Sequence, residues 1–472
     1  MKTPLHFSNL NRIAKLSVLV SSVGLAACVN LAPHYTPPEK PIAQQFEPAS
    51  VQNIASPLNI SNLKADAFFS DPRIKPLIDL ALQNNRDLRI AALNIEVAQA
   101  QLGIRQADLM PAVNLGLTGS RLTNAAGNIS STYTTGLSVA AYEVDLFQRL
   151  RNLSEASRAQ YLASEEARKT VQISLLASVA STYLAWQSDV ALLDLTQKTL
   201  VTRESTLKLL QLRFDKGASS LLDLRSAQSL LESARIVNAQ LRRQKQQDEN
   251  ALTLLVGQTI PSALLNENSL QTGKFDPLKF AELPVGLPSE VLTARPDIAQ
   301  AELLLQASNA NIGAARAAFF PKIALTGSAG LASADLRNLF SNGLSAWSFV
   351  PQILQPIFDA GRNESNLQIA QANRSIAQAQ YEKTVQSAFK EVSDALSARA
   401  TLKEQWTAQM AQTQAEKERA QLSRLRYTQG VSSYLDALDA ERALFASEQA
   451  LIQIQTQYVQ NMVFLYRGLG GG

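Results

Sequence analysis

Leu425-Arg-Tyr-Thr-Gln-Gly430-Val-Ser-Ser-Tyr-Leu-Asp436-Ala-Leu-Asp439-Ala-Glu-Arg442 occurs once before in the chain, 213 residues earlier, as Leu212-Arg-Phe-Asp-Lys-Gly217-Ala-Ser-Ser-Leu-Leu-Asp223-Leu-Arg-Ser-Ala-Gln228. Leu, Arg, Gly, both Ser, Leu, Asp and Ala recur at that one offset. Upstream, Asp87, Gly103 and Pro111 return as Asp297, Gly313 and Pro321, 210 residues on. The chain is therefore two copies of one unit of roughly 200 residues, and the duplication is the first property of the fold. Inside the repeated stretch, Gly217 and Gly430 suit the left-handed residue that terminates a helix. Ser220-x-x-Asp223 and Ser433-x-x-Asp436 have the spacing of a capping box that starts the next one. Each copy thus turns one helix tightly into another.

Outward from these turns the text is rich in Ala, Gln, Leu and Ser, with dispersed charge. Proline is absent between Pro111 and Pro261 and after Pro356. Long helices are expected from about Leu146 to Arg213 and from about Gly361 to Tyr427, with returning helices over about Ser220–Val256 and Ser433–Tyr466. A helix of the first length reaches roughly 100 Å. The apolar stripe is thin and Ala-rich, as in a wall whose helices pack neighbours on both sides. One further helix is expected from about Lys75 to Leu109, stopped by Pro111.

After Pro111 the period changes to 2: Val113, Leu115 and Leu117 alternate with Asn114, Gly116 and Thr118. Ile323 and Leu325 do the same after Pro321, and return strands are expected near Thr132–Val144 and Leu344–Leu354, with Pro351 arguing against the last. Strands of about 10 residues with one apolar and one polar face suit a transmembrane barrel, and equally a half-buried soluble hairpin. Four strands cannot close a membrane barrel, because such barrels begin at about eight and lipid tolerates no open edge. If the strands cross a membrane, several chains share one barrel. Two copies or three remain open on this count.

Residues 1–27 have the pattern of a secretory signal, with Lys2, Arg12 and Lys15 before an apolar run too short to span a bilayer. The run ends Leu25-Ala-Ala-Cys28, at the only cysteine in the chain. Removing those three cations from 44 basic residues leaves 41 against 40 acidic ones, no footprint of a nucleic-acid binder. Only His34 lies beyond the leader, so His/Cys metal sites, disulfides and Cys–His dyads are excluded. With no nucleophile–base pair and no other cofactor signature, an enzyme is not expected. Residues 28–74 form a proline-rich strap, 75–256 the first repeat, 257–288 a proline-containing connection and 289–472 the second repeat, ending in a flexible glycine tail.

Leu25-Ala-Ala-Cys28 resembles the lipobox of bacterial lipoproteins, which implies S-diacylglycerol and N-acyl groups on Cys28. Gly286-Leu-Pro-Ser289, Arg295-Pro-Asp-Ile298, Ala301-Glu302, Asn311-Ile-Gly-Ala-Ala315, Phe319-Phe-Pro321 and Tyr142-Glu-Val-Asp-Leu-Phe147 resemble the TolC-type outer membrane factors, in the lipoprotein branch of RND-type multidrug efflux systems. The resemblance covers nearly the whole mature chain. It implies a mainly α fold with β: a homotrimer whose chains share a 12-stranded outer membrane β-barrel continued by a periplasmic α-barrel. It also implies a periplasmic adaptor and an inner membrane RND-type transporter as partners, outer membrane lipid as surroundings, and an exit duct for drugs and other small molecules. A type I protein-secretion duct, or a coiled-coil scaffold lipoprotein without a pore, are the alternative readings.

Comparison of the copies singles out candidate gate residues. Asp436 has the Asp223 counterpart and reads equally as a helix-capping carboxylate. Asp439 replaces Ser226 and Tyr427 replaces Phe214. Asp436 and Asp439 lie one turn apart on one helix face, and three copies would bring six carboxylates together, a cation-attracting ring. The plain alternative for Asp439 is a solvated surface charge. In the resembled family, aspartates here line the closed periplasmic aperture, and an Arg-Tyr pair, here Arg426-Tyr427, latches neighbouring helices.

Overall fold

The protein is described from a computed structural model over residues 29–43, 46, 65–69, 71–123, 127–265, 280, 292 and 294–471. The signal, Cys28, the Gly286–Ser289 motif and most of the 257–288 connection lie outside the described residues. Among the described residues the helices are α1 (Ala65–Phe68), α2 (Lys75–Asn84), α3 (Arg86–Ala107), α4 (Arg149–Asp215), α5 (Leu221–Val256), α6 (Pro296–Ala317), α7 (Arg362–Thr428) and α8 (Tyr434–Gly468). The strands are β1 (Val113–Thr123), β2 (Ile129–Val144), β3 (Lys322–Ser333) and β4 (Leu344–Leu354). The chain separates into two compact units, each built from both repeats: Met1–Glu39, Leu93–Glu165 and Gln300–Glu382 form the first, and Lys40–Ala92, Glu166–Ala299 and Lys383–Gly472 the second.

In the first unit the strands form one antiparallel sheet in the order β1-β2-β3-β4. Directly paired residues share a face, so the pattern of period 2 sorts the sheet into two surfaces. Leu115, Leu137, Ala329 and Trp347 stand in one row across it. Leu115 is 79% exposed and Trp347 78%, so this apolar face has no cover among the described residues. The opposite face is polar: Thr118 and Thr134 share a 2.6 Å hydrogen bond, and Ser328 and Ser348 one of 2.8 Å. These two bonds occupy equivalent positions in the two hairpins. Pro351 does lie inside a strand, in β4, which is the edge of the sheet within one chain. A bulge between Val139 and Tyr142, with Ala141 at φ 52°, shifts the β2–β3 register by one residue. Among the described residues no helix is long and apolar enough to cross a membrane.

The strap at residues 29–35 is seated on α6 in this unit. Asn309 Nδ2 donates to the Pro33 carbonyl at 2.8 Å and an Arg316 guanidinium nitrogen to that of Leu31 at 3.1 Å. A Cβ at Gly313 would lie 2.8 Å from Ala32 Cα and 2.7 Å from Asn152 Nδ2. The glycine of the Asn311–Ala315 motif is therefore required by the close approach of strap and α4. Its first-copy counterpart, Gly103, faces open space.

In the second unit, the helix expected over Lys75–Leu109 is broken. Asn85 is extended (φ −62°, ψ 133°), its Oδ1 accepts from the Leu88 N–H at 2.9 Å, and its Nδ2 donates to the Leu255 carbonyl at 2.8 Å. A side chain that caps α3 and ties down the end of α5 outweighs unbroken helix periodicity. The second copy repeats the device with a stronger donor: Arg295, held by Asp297 at 2.7 Å and Glu391 at 3.1 Å, donates to the Gly468 carbonyl at 2.6 Å. Residues 468–471 are consequently packed, which corrects the expectation of a flexible tail. Gly470 (φ 92°) lies against Arg295, in contacts that a Cβ would tighten to 3.3 Å, as Gly257 (φ 78°) lies against Asn84. Phe68 stacks on Tyr466, ring centroids 4.3 Å apart, and both are buried.

Candidate gate at the helix turns

The two turns of the repeated stretch lie in the second unit and are built alike. Gly217 (φ 73°) donates its N–H to the Phe214 carbonyl and Ala218 to that of Arg213, at 2.9 and 2.7 Å. Gly430 (φ 72°) and Val431 donate to Tyr427 and Arg426 at 3.0 and 2.9 Å. These paired bonds satisfy the last carbonyls of α4 and α7, and the positive φ explains both glycines. Both capping boxes form: Ser220 and Ser433 Oγ accept from the N–H of Asp223 and Asp436, whose carboxylates accept in return. Asp436 is thus a helix cap, at an exposed position.

Leu210, Leu224, Leu230, Tyr434 and Leu438 make a small core that joins the first-copy turn to the second-copy turn. Burial, reinforced by Glu441, pushes the Tyr434 phenol up to about 12. Arg203 is buried, donates to the Leu230 carbonyl at 2.8 Å and lies over the Phe445 ring at 4.9 Å. Glu441 titrates above the usual carboxylate range because of its burial, against the pull of Arg424 and Arg203. Together with Lys417 and Glu448 these groups line a cleft of about 380 Å³.

The second-copy additions sit at the rim of this core. The Tyr427 hydroxyl accepts from Arg213 at 2.8 Å, and its ring lies 5.4 Å from that of Tyr434. Arg213 is the repeat counterpart of Arg426, so the contact joins equivalent places in the two copies. Arg426 is exposed and, among the described residues, its guanidinium has no partner. Within the chain, Tyr427 closes on α4 while Arg426 is exposed. Asp439 is exposed and paired with Arg419, which also holds Glu416 at 3.1 Å. Arg213, Arg419 and Arg203 have no role assigned by sequence pattern. Only Arg213 carried a signal, its equivalence with Arg426.

The model of the outer membrane efflux protein family matches residues 77–258 and 287–471, one segment on each repeat. The chain belongs to the outer membrane efflux protein family. This efflux protein is 44% identical over 466 residues to the probable efflux pump outer membrane protein TtgC of Pseudomonas putida, covering 97% of this chain and 95% of the relative. Its structure is similar to that of a membrane protein from Pseudomonas aeruginosa, with TM-score 0.84 and 40% identity over 94% of this chain and 98% of the other. It is also similar to the open state of the Neisseria gonorrhoeae MtrE outer membrane channel, with TM-score 0.80 and 37% identity over 94% and 98%. The mainly helical fold with four antiparallel strands is that of TolC-like outer membrane channels. The protein is an outer membrane efflux channel with a periplasmic part, and a transport channel rather than an enzyme.

Proposed function

We propose that three copies of this efflux protein close a 12-stranded barrel, anchored by acyl groups on Cys28, and that the turns at Gly217 and Gly430 form its periplasmic gate. The observation that carries this reading is the sheet itself. It has an exposed apolar face, a polar face and free edges on β1 and β4, and lipid tolerates no free edge. Further copies must supply the missing strands, and membrane barrels begin at about eight.

At the gate, Tyr427 and Arg213 hold α7 to α4, Arg426 reaches a neighbouring copy, and the Asp436 and Asp439 carboxylates of three chains line the aperture. Release of several contacts worth about 1 kcal/mol each suits a device that must open reversibly. The partners are a periplasmic adaptor and an inner membrane RND-type transporter, and the cargo is small molecules, drugs among them. Substrate choice then belongs to the transporter, since the polar face of the sheet carries small side chains such as Thr118, Thr134, Ser328 and Ser348.

The test is mass measurement of the membrane-extracted protein in detergent, with conductance in a planar bilayer. A conducting trimer is expected; a monomer that conducts refutes the shared barrel. Labelled palmitate should enter the wild type and not Cys28→Ser. Incorporation into that variant removes the anchor from the proposal without touching the barrel.

A further inference from the structure

The duplication carries a consequence for the edges of the sheet. Val113↔Val139 in the first hairpin corresponds to Ile323↔Ile353 in the second, so β3 follows β1 by 210 residues and β4 follows β2 by 214. The shared bonds Thr118–Thr134 and Ser328–Ser348 obey the same two offsets. Past the β2 bulge, which β4 lacks, the second offset becomes 213, as at the helix starts Arg149 and Arg362. Inside the chain, β2 of the first repeat pairs with β3 of the second. If equivalent edges pair in equivalent ways, β4 of one copy pairs with β1 of the next in a register that the internal seam already prescribes.

We infer that β4 and β1 of adjacent copies pair antiparallel with Ile353 opposite Leu117 and Gln352 opposite Thr118. The inference rests on the shared-barrel reading, but not on the number of copies. Val139↔Gly327 transforms to Ile353↔Leu117, and Ser138↔Ser328 to Gln352↔Thr118. Beyond the bulge, Tyr142↔Leu325 transforms to Gln355↔Leu115, and Val144↔Ile323 to Ile357↔Val113. Both sides of the bulge thus yield one uninterrupted register, although they enter with different offsets. That register uses the whole of β1, from Val113 to Thr123, against residues 347–357.

Three further observations agree. The register sets odd numbers against odd, so Leu115, Leu117, Phe349 and Ile353 stay on the apolar face and Thr118 and Gln352 on the polar one; a slip of one residue would invert them. Ile357, just past the end of β4, is 89% exposed in the single chain and joins the apolar face opposite Val113. On the helices, the Gly313–Asn152 contact of α6 with α4 transforms to Gly103 of one copy against Ser365 of another. Gly103 is the one of the two motif glycines that faces open space within its own chain. Two departures follow: the close Gly136–Gly330 pair is replaced by Val350 and Ser120, which require ordinary strand spacing, and Pro351 replaces Leu137 opposite Gly119 and leaves β4 one N–H short.

Disulfide trapping in the full-length protein in membranes tests the register. Residues 118 and 352 of one chain are separated by two strands, about 14 Å, so a disulfide between them reports only adjacent copies. The doubles Thr118→Cys/Gln352→Cys, facing the lumen, and Leu117→Cys/Ile353→Cys, facing lipid, should oxidise to covalent dimers and closed trimers on non-reducing gels. Thr118→Cys/Val350→Cys and Thr118→Cys/Leu354→Cys should give roughly tenfold less, because a two-residue slip moves the partners to about 7–8 Å, beyond disulfide reach. Preferential trapping of a slipped pair overturns the register and leaves the shared barrel standing. Absence of cross-links from every double, with a monomeric mass in detergent, overturns the shared barrel itself. An oligomeric mass without any cross-link refutes β4–β1 pairing.

Discussion

Replacing Tyr427 by Phe removes one hydroxyl and keeps the ring that packs against Tyr434, so it isolates the contact with Arg213. The bond is part-buried and its donor is charged, which favours the upper part of the usual range for a hydrogen bond. Arg213 is not fully buried, however, and recovers water when the hydroxyl is gone, which returns the net loss to about 1 kcal/mol per chain. If the three turns open together, the closed state loses roughly 3 kcal/mol, and the open-to-closed ratio rises roughly 100-fold. The assay is the resting open probability of single trimers in planar bilayers at low voltage. Phe214→Leu is the control: Phe214 occupies the equivalent first-copy position, has no hydroxyl and is 36% exposed, so its truncation should leave the open probability unchanged. Adding Arg426→Ser to Tyr427→Phe should multiply the single effects on the open-to-closed ratio, because the two side chains share no partner. An intact trimer of Tyr427→Phe with wild-type open probability refutes the latch.

Asp439→Ala should leave thermal stability nearly unchanged, since its ion pair with Arg419 is exposed and such pairs contribute about 0–1 kcal/mol. It should nevertheless lower cation preference and weaken block by multivalent cations in bilayer recordings; unchanged selectivity places the carboxylate away from the axis. Arg295→Met should cost about 3 kcal/mol in thermal unfolding, because it strips the Gly468 carbonyl, Asp297 and Glu391 of one shared donor, while Asn85→Ala at the equivalent place should cost about 1–2 kcal/mol. Asp189 and Asp248 are buried side by side, and burial together with the Asp248 carboxyl lifts Asp189 to about 7. A carboxyl raised on folding stabilises the protein below its unfolded value near 4, and that contribution fades as pH rises through about 7. The melting temperature should therefore fall between pH 4 and 8, and fall less in Asp248→Asn; equal slopes in the two proteins would show that the pair does not titrate as argued.

The features read correctly from sequence are those whose causes lie within a few residues. The change of period at Pro111 and Pro321 marks helix against strand, because side chains repeat every 3.6 residues on one and every 2 on the other. The turns at Gly217 and Gly430 were legible for the same reason: a positive φ and a Ser-x-x-Asp cap are local hydrogen-bond demands. Other features depend on contacts far apart in the chain. Asn85 breaks a periodic helix because its amide serves Leu255, and the glycine tail is packed because Arg295 needs the Gly468 carbonyl. Gly313 is required by a strap nearly 280 residues before it, while Gly103, equal in sequence, meets nothing. Tyr427 and Arg426 looked like one unit by adjacency, yet successive residues of a helix point about 100° apart. Tertiary packing within the chain therefore gave Tyr427 the Arg213 side chain and left Arg426 exposed, a division that no local pattern encodes.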